Sequence, residues 1–159
     1  MVTYKMLMYM KNMKIFALLA AVATLFVACE PSSGVEDKKS VIVGEWHIES
    51  WNNQTPEFDV YIEFLEQGTF NIYQQIFTLN YVLYSGTYTA VDGTLTGVYD
   101  DGSAWGAGYS YTISADGSQL TLVSDDSTPL TSVYVKEVIP AEVKAEAAET
   151  RSVEALPFL

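Results

Sequence analysis

From Val41 to Ile139 apolar and polar residues alternate in segment after segment, and short turn signals separate the segments. A period of two puts every second side chain on one face of an extended strand, whereas a helix needs a period near 3.6. Gly44, Trp46 and Ile48 share one face of a first strand, with Glu45, His47 and Glu49 on the other. Val60, Ile62 and Phe64 alternate with Asp59, Tyr61 and Glu63, and Phe70 and Ile72 alternate with Asn71 and Tyr73. Val82, Tyr84, Gly86 and Tyr88 form a fourth set, and Leu95, Gly97 and Tyr99 a fifth. The sixth strand is expected over residues 105–113, with Trp105, Ala107, Tyr109, Tyr111 and Ile113 on one face and Gly106, Gly108, Ser110 and Thr112 on the other. Leu120 and Leu122 mark a seventh, and Ser132 to Glu137 an eighth.

The turns between these sets are Gln67-Gly68, Asp92-Gly93 and Asp116-Gly117. Asp-Gly between alternating runs is a strong hairpin signal, because both central residues of a type I′ turn need positive φ. No helical pattern interrupts the series. Short hairpins join strands antiparallel in sequence order, and closing the sheet removes its exposed edges. The expected fold is therefore all-β, an eight-stranded antiparallel up-and-down barrel over residues 41–139.

The ends of the chain differ from the middle. Ile15 to Ala28 is a charge-free, mainly apolar stretch behind Lys11 and Lys14. It suits a secretory signal and is too short to span a bilayer, which takes about 20 apolar residues. Met13-Lys14 opens a more typical signal than Met1 does. Leu25-Phe26-Val27-Ala28-Cys29 resembles the lipobox of bacterial lipoproteins, with Phe26 where Leu is commonest. The resemblance implies removal of residues 1–28, lipidation of Cys29 and a membrane-anchored place in the bacterial cell envelope. The outer membrane is the expected site, with periplasmic or surface-facing orientation open. Cys29 is the only cysteine, so no internal disulfide can form, and acylation gives an exported lone cysteine a role. Several acyl chains, at about 0.8 kcal/mol per buried CH₂, anchor stably where one would not.

Residues 30–40 carry Pro, Gly and charge without an apolar period and read as a tether of at most about 36–40 Å. After Ile139-Pro140 the tail, 140–159, is rich in Ala and Glu, with a thin stripe of Val143, Ala147 and Val153. A short helix against the barrel and a mobile tail are both open. The closing Leu156-Pro157-Phe158-Leu159 is apolar and is expected to pack on the barrel surface or to serve as a docking motif.

The chain carries a net charge of −12, and all 20 acidic residues lie beyond residue 28. Such a field repels phosphate backbones, so no nucleic-acid partner is expected. His47 is the only histidine and alternates to the face opposite Trp46, so no Ser-His-Asp triad and no zinc set are expected. Asp100-Asp101, Asp116 and Asp125-Asp126 sit beside Gly or Ser, where Asp serves turns; no metal and no cofactor are expected. Glu45, Glu49, Asp59 and Glu63 lie on the face opposite the core set, which argues against a glycosidase pair inside the barrel. The expectation is a non-catalytic monomer.

Gly44-Glu45-Trp46 resembles the Gly-x-Trp motif on the first strand of lipocalins, where the Trp plugs the closed end of the barrel. Residues 62–70 and Tyr84-Ser85-Gly86-Thr87-Tyr88 resemble the hairpins that follow, and Tyr134-Val135-Lys136 their last strand. The pattern over residues 41–139 is similar to the bacterial lipocalin-like domain of small exported lipoproteins. The resemblance implies a ligand-holding barrel. The domain is short and lacks a long loop after its first strand, which points to a small cavity.

The candidate interior is aromatic: Trp46, Phe64, Phe70, Tyr84, Tyr88, Tyr99, Trp105, Tyr109 and Tyr111. Each buried tyrosine hydroxyl needs a partner, so a ring of them suits a cavity that takes an amphipathic guest. An eight-stranded barrel is also just narrow enough for side chains to fill. Two functions follow. One is binding of a small apolar or amphipathic molecule in the barrel mouth. The other is a rigid scaffold whose loops bind a protein or glycan through Trp51 with Asn52-Asn53-Gln54 and through the loop 100–104.

Overall fold

At Asp92-Gly93 both residues have positive φ, 50° and 79°, and the two-residue turn joins its strands in tight antiparallel register, Val91 opposite Thr94. The computed structural model describes residues 39–149 and 156–159. The expected signal segment, Cys29, the tether as far as residue 38 and Val153 lie outside the described residues.

The protein is an eight-stranded antiparallel up-and-down barrel with a short C-terminal helix. A four-residue helix, α1 (Lys39–Ile42), precedes the strands β1 (Gly44–Trp51), β2 (Asp59–Phe64), β3 (Thr69–Gln75) and β4 (Val82–Val91). There follow β5 (Thr94–Tyr99), β6 (Tyr109–Ile113), β7 (Gln119–Ser124), β8 (Thr131–Lys136) and the helix α2 (Ala141–Glu149). Each strand pairs with the next, and β1 closes the circuit against β8, with a register shift between Ile48 and Ser50.

Helix α1 ends in Ile42, which is fully buried. One strand-level expectation needs correction. The sixth strand begins at Tyr109, not at residue 105. Residues 100–108 form a loop whose backbone bonds are met elsewhere: Trp105 N–H donates to Gly97 O at 3.0 Å, and Gly108 N–H to the Asp125 carboxylate at 3.0 Å. The upper half of β5 therefore pairs with this loop, through Val98 and Ala104, and only Thr94 and Leu95 have partners on β6.

The two barrel ends are built differently. Residues 65–68, 92–93 and 114–118 make the connections at the end where β1 starts, and α1 covers it. There Trp46, fully buried, donates its indole N–H to Ile42 O at 2.8 Å. Residues 52–58, 76–81, 100–108 and 125–130 make longer connections at the other end, the mouth.

Asp116 and Asp101 behave as turn residues, whereas Asp125 reaches across to the loop 100–108. Asp116 Oδ1 accepts from the Ser114 and Ser118 hydroxyls and from Ser118 N–H, and Asp101 Oδ1 accepts from the hydroxyl and N–H of Ser103. These bonds hold the Asp116 carboxyl down at about 2, chiefly through Ser114.

The C-terminal stripe forms a helix. Val143 and Ala147 of α2 are buried with Ile139 against Tyr61 of β2 and Tyr73 of β3. Alternation correctly turned these tyrosines outward, but the helix covers that outer face. Lys144 pins it, its Nζ 2.6 Å from Glu45 Oε1 and 3.1 Å from Glu63 Oε1. Nearby His47 stacks on Tyr61, with its ring nitrogens 2.6 Å from Asp59 Oδ1 and 2.9 Å from Glu137 Oε2. The strand carboxylates thus serve the outer wall.

Candidate functional site

All nine aromatic residues marked as interior candidates belong to one core, seven of them buried and Tyr84 and Tyr109 partly so. They do not form one open chamber. Trp46 lies at the closed end with Lys136 Nζ over its ring. Phe64 meets Tyr88 edge-on at 4.9 Å, and Phe70 meets both Trp105, at 5.1 Å, and Tyr99, at 5.6 Å. Tyr84 packs against Tyr99, and Tyr109 against Trp105. Tyr111 completes the cluster from β6. Trp105 reaches the core from its loop, where Gly97 leaves room: a Cβ on Gly97 would lie 2.1 Å from the indole.

The open volume lies above this packed floor. A pocket of about 600 Å³ occupies the mouth. Trp51, Phe58, Ile76, Phe77, Leu130 and Phe158 supply apolar wall, and Ser124, Ser132, Asp126 and Tyr109 are the lining residues with polar side-chain groups. Of the nine sequence candidates only Tyr109 lines it. Its hydroxyl is pushed up to about 12 by burial, with Asp126 and Asp125 adding to the effect, so it stays protonated and can donate at neutral pH.

Tyr134 is a feature the sequence reading did not include among the interior candidates. It is fully buried below Ser132 on β8, and its hydroxyl has no partner in bonding geometry. The Trp105 indole N–H is unpartnered as well. Tyr134 was legible in principle, because it continues the inward parity of β8.

The second missed residue is Gln74. It continues the inward column of Phe70 and Ile72 on β3 and is 1% exposed. Its amide Nε2 donates to Leu156 O at 2.9 Å, and its Oε1 accepts from Phe158 N–H at 2.8 Å. Leu159 is buried in the core cluster, and its backbone oxygen accepts from the Tyr99 hydroxyl at 2.7 Å. The segment 156–159 therefore sits in the barrel mouth, where surface packing had been expected. A polar residue at an inward strand position was the available signal.

The rim is exposed and apolar. Phe77, at φ 56°, and Leu79 project from the loop 76–81 almost entirely into solvent. Trp51, expected to be exposed, is 38% so, with its ring edge-on to Phe58. Among the described residues no three His, Cys, Asp or Glu side chains gather in a way that could hold a metal ion, and no helix is long and apolar enough to cross a membrane.

A family model described as a lipocalin-like domain matches residues 42–122. This chain belongs to the lipocalin-like domain family. The matched stretch runs from Ile42 beneath the closed end to Leu122 on β7. No curated protein matches the chain. As a lipocalin-like barrel, it combines a Trp46 plug at one end with an apolar mouth at the other.

Proposed function

We propose that this lipocalin-like protein binds a small apolar or amphipathic molecule in its mouth and performs no catalysis of its own. The observation that carries the reading is the pocket of about 600 Å³ between Trp51, Phe58 and Leu130, with Tyr109, Ser132 and Asp126 as its polar points. An apolar wall with few polar groups is the general form of a small-molecule site. The packed floor sets the limit: a guest enters the mouth and stops above Trp105 and Phe70. Native mass spectrometry and titration with an apolar fluorescent dye test the reading. Saturable binding near 1:1, weakened by Trp51→Ala, is expected. A chain that takes up neither dye nor endogenous ligand overturns it.

The same proposal places the barrel at a membrane, lipidated on Cys29 after loss of residues 1–28 and held within reach of the bilayer by the segment that follows. The lipobox resemblance supports it. Metabolic labelling with a fatty-acid analogue is expected to mark the chain and to fail on Cys29→Ser; equal labelling of both overturns the anchor.

Exposed Phe77 and Leu79 favour a second reading, contact between the rim and a protein or glycan. If the Phe77→Ser, Leu79→Ser double variant keeps dye binding but loses retention on envelope fractions, that reading takes precedence.

A further inference from the structure

The Gln74 amide engages the carbonyl of Leu156 and the N–H of Phe158, the two groups that flank residue 157. A residue in a parallel strand engages its neighbour through the same pair of groups. A side chain here does what a strand backbone does, and it reads main chain without regard to sequence. Pro157 between the two contacts has no N–H to leave unsatisfied. Tyr99 adds a third backbone contact at Leu159 O. Phe158 lies against Phe58 at 5.5 Å, and Leu159 is sunk into the core.

An amide covered by an occupant that offered it no partners would cost stability, and the carbonyl and N–H of a peptide meet both of the Gln74 polar groups. We infer that the mouth is a peptide-reading site, that segment 156–159 is its built-in occupant, and that the ligand exchanged for it is an extended apolar peptide. The inference rests on the mouth being the ligand site and names the class of ligand. The occupant supplies part of the present pocket wall through Leu156 to Leu159, so displacing it opens the deeper surface of Gln74 and Tyr99.

The test uses the full chain carrying Phe158→Asp and Leu159→Asp, which unseats the segment without shortening the protein. Titration calorimetry with the N-acetylated tetrapeptide Leu-Pro-Phe-Leu is expected to show binding at least about 10-fold tighter than to the unaltered chain. Adding Gln74→Leu is expected to remove that gain. Apolar dye binding is followed in parallel. Dye uptake without peptide binding overturns the peptide inference and leaves the ligand-binding reading standing. Uptake of neither overturns both. If the double variant does not fold by circular dichroism, Gln74→Leu alone decides. Loosening the segment is expected to raise dye affinity about 10-fold, and an unchanged affinity overturns the inference.

Discussion

Lys144 of α2 stands 2.6 Å from Glu45 of β1, joining the helix to a strand 99 residues earlier in the chain. Burial alone would raise the Glu45 carboxyl, but the bonds from Lys144 and the Ile139 N–H outweigh it and hold it below its ordinary value. Burial likewise lowers Lys144, and Glu45 and Glu63 together raise it above the usual lysine value.

The signs define a pH window for helix docking. Glu45, depressed in the fold, stabilises above the ordinary carboxylate range, and that contribution is lost as pH falls through its lowered value. Lys144, raised in the fold, stabilises below the ordinary lysine value and loses its effect as pH rises through the raised one. Lys144→Met is expected to cost about 1 kcal/mol after allowance for partial solvent screening. Urea melts at neutral pH measure that loss, and the part of the stability that falls away on acidification is expected to be smaller in the variant, because Lys144 no longer holds the Glu45 carboxyl down against burial.

Asp116 offers a local pH probe. Carbon-detected titration is expected to place its carboxyl at about 2. Ser114→Ala, which removes the leading hydrogen bond, is expected to move it toward the ordinary aspartate value. The contribution of this turn to folding, present above the ordinary value, disappears as pH falls through the lowered one. No change in Ser114→Ala would mean that the turn is held by other groups.

Phe77 holds a left-handed backbone with its side chain in solvent. Such a conformation costs a non-glycine residue about 1–2 kcal/mol, part of which glycine would give back as lost chain entropy. Phe77→Gly is expected to raise stability by up to about 1 kcal/mol while weakening dye or partner binding. Thermal melts and dye titration read the two effects separately.

Gly97→Ala is expected to destabilise by about 1–3 kcal/mol through overpacking, because the new methyl would overlap the Trp105 indole. The near-ultraviolet circular dichroism of the buried tryptophan should change with it. Gly93→Ala meets no neighbour and is expected to act only through its φ of 79°, leaving that spectrum intact.

Local chemistry explains what could be read in advance. Asp92-Gly93 needs only its own two residues to specify a turn, and the parity of Trp46, Ile62, Phe64 and Ile72 is a property of neighbouring positions. Relations that depend on distant segments were hidden. Tyr61 and Tyr73 have outward parity, but a helix that begins at Ala141 decides whether they meet water. Trp105 matched the inward parity of Tyr109, yet it gets there from a loop because the Asp125 carboxylate and Gly97 O take the backbone bonds. Gln74 showed only a polar residue at an inward register, and its meaning depends on Leu156 and Phe158, 82 and 84 residues away.

The partial pairing of β5 with β6 gives the cylinder a seam. No other neighbouring pair shares so short a ladder: here only Thr94 and Leu95 have partners on β6, and above them the wall is loop. Local opening concentrates where backbone bonds are fewest, so amide exchange is expected to start along this line before the rest of the barrel. Tyr109 stands on the seam and also on the pocket wall. A breathing motion there would widen the pocket from the side, giving a long guest a lateral way in that leaves the tight turns at the far end undisturbed.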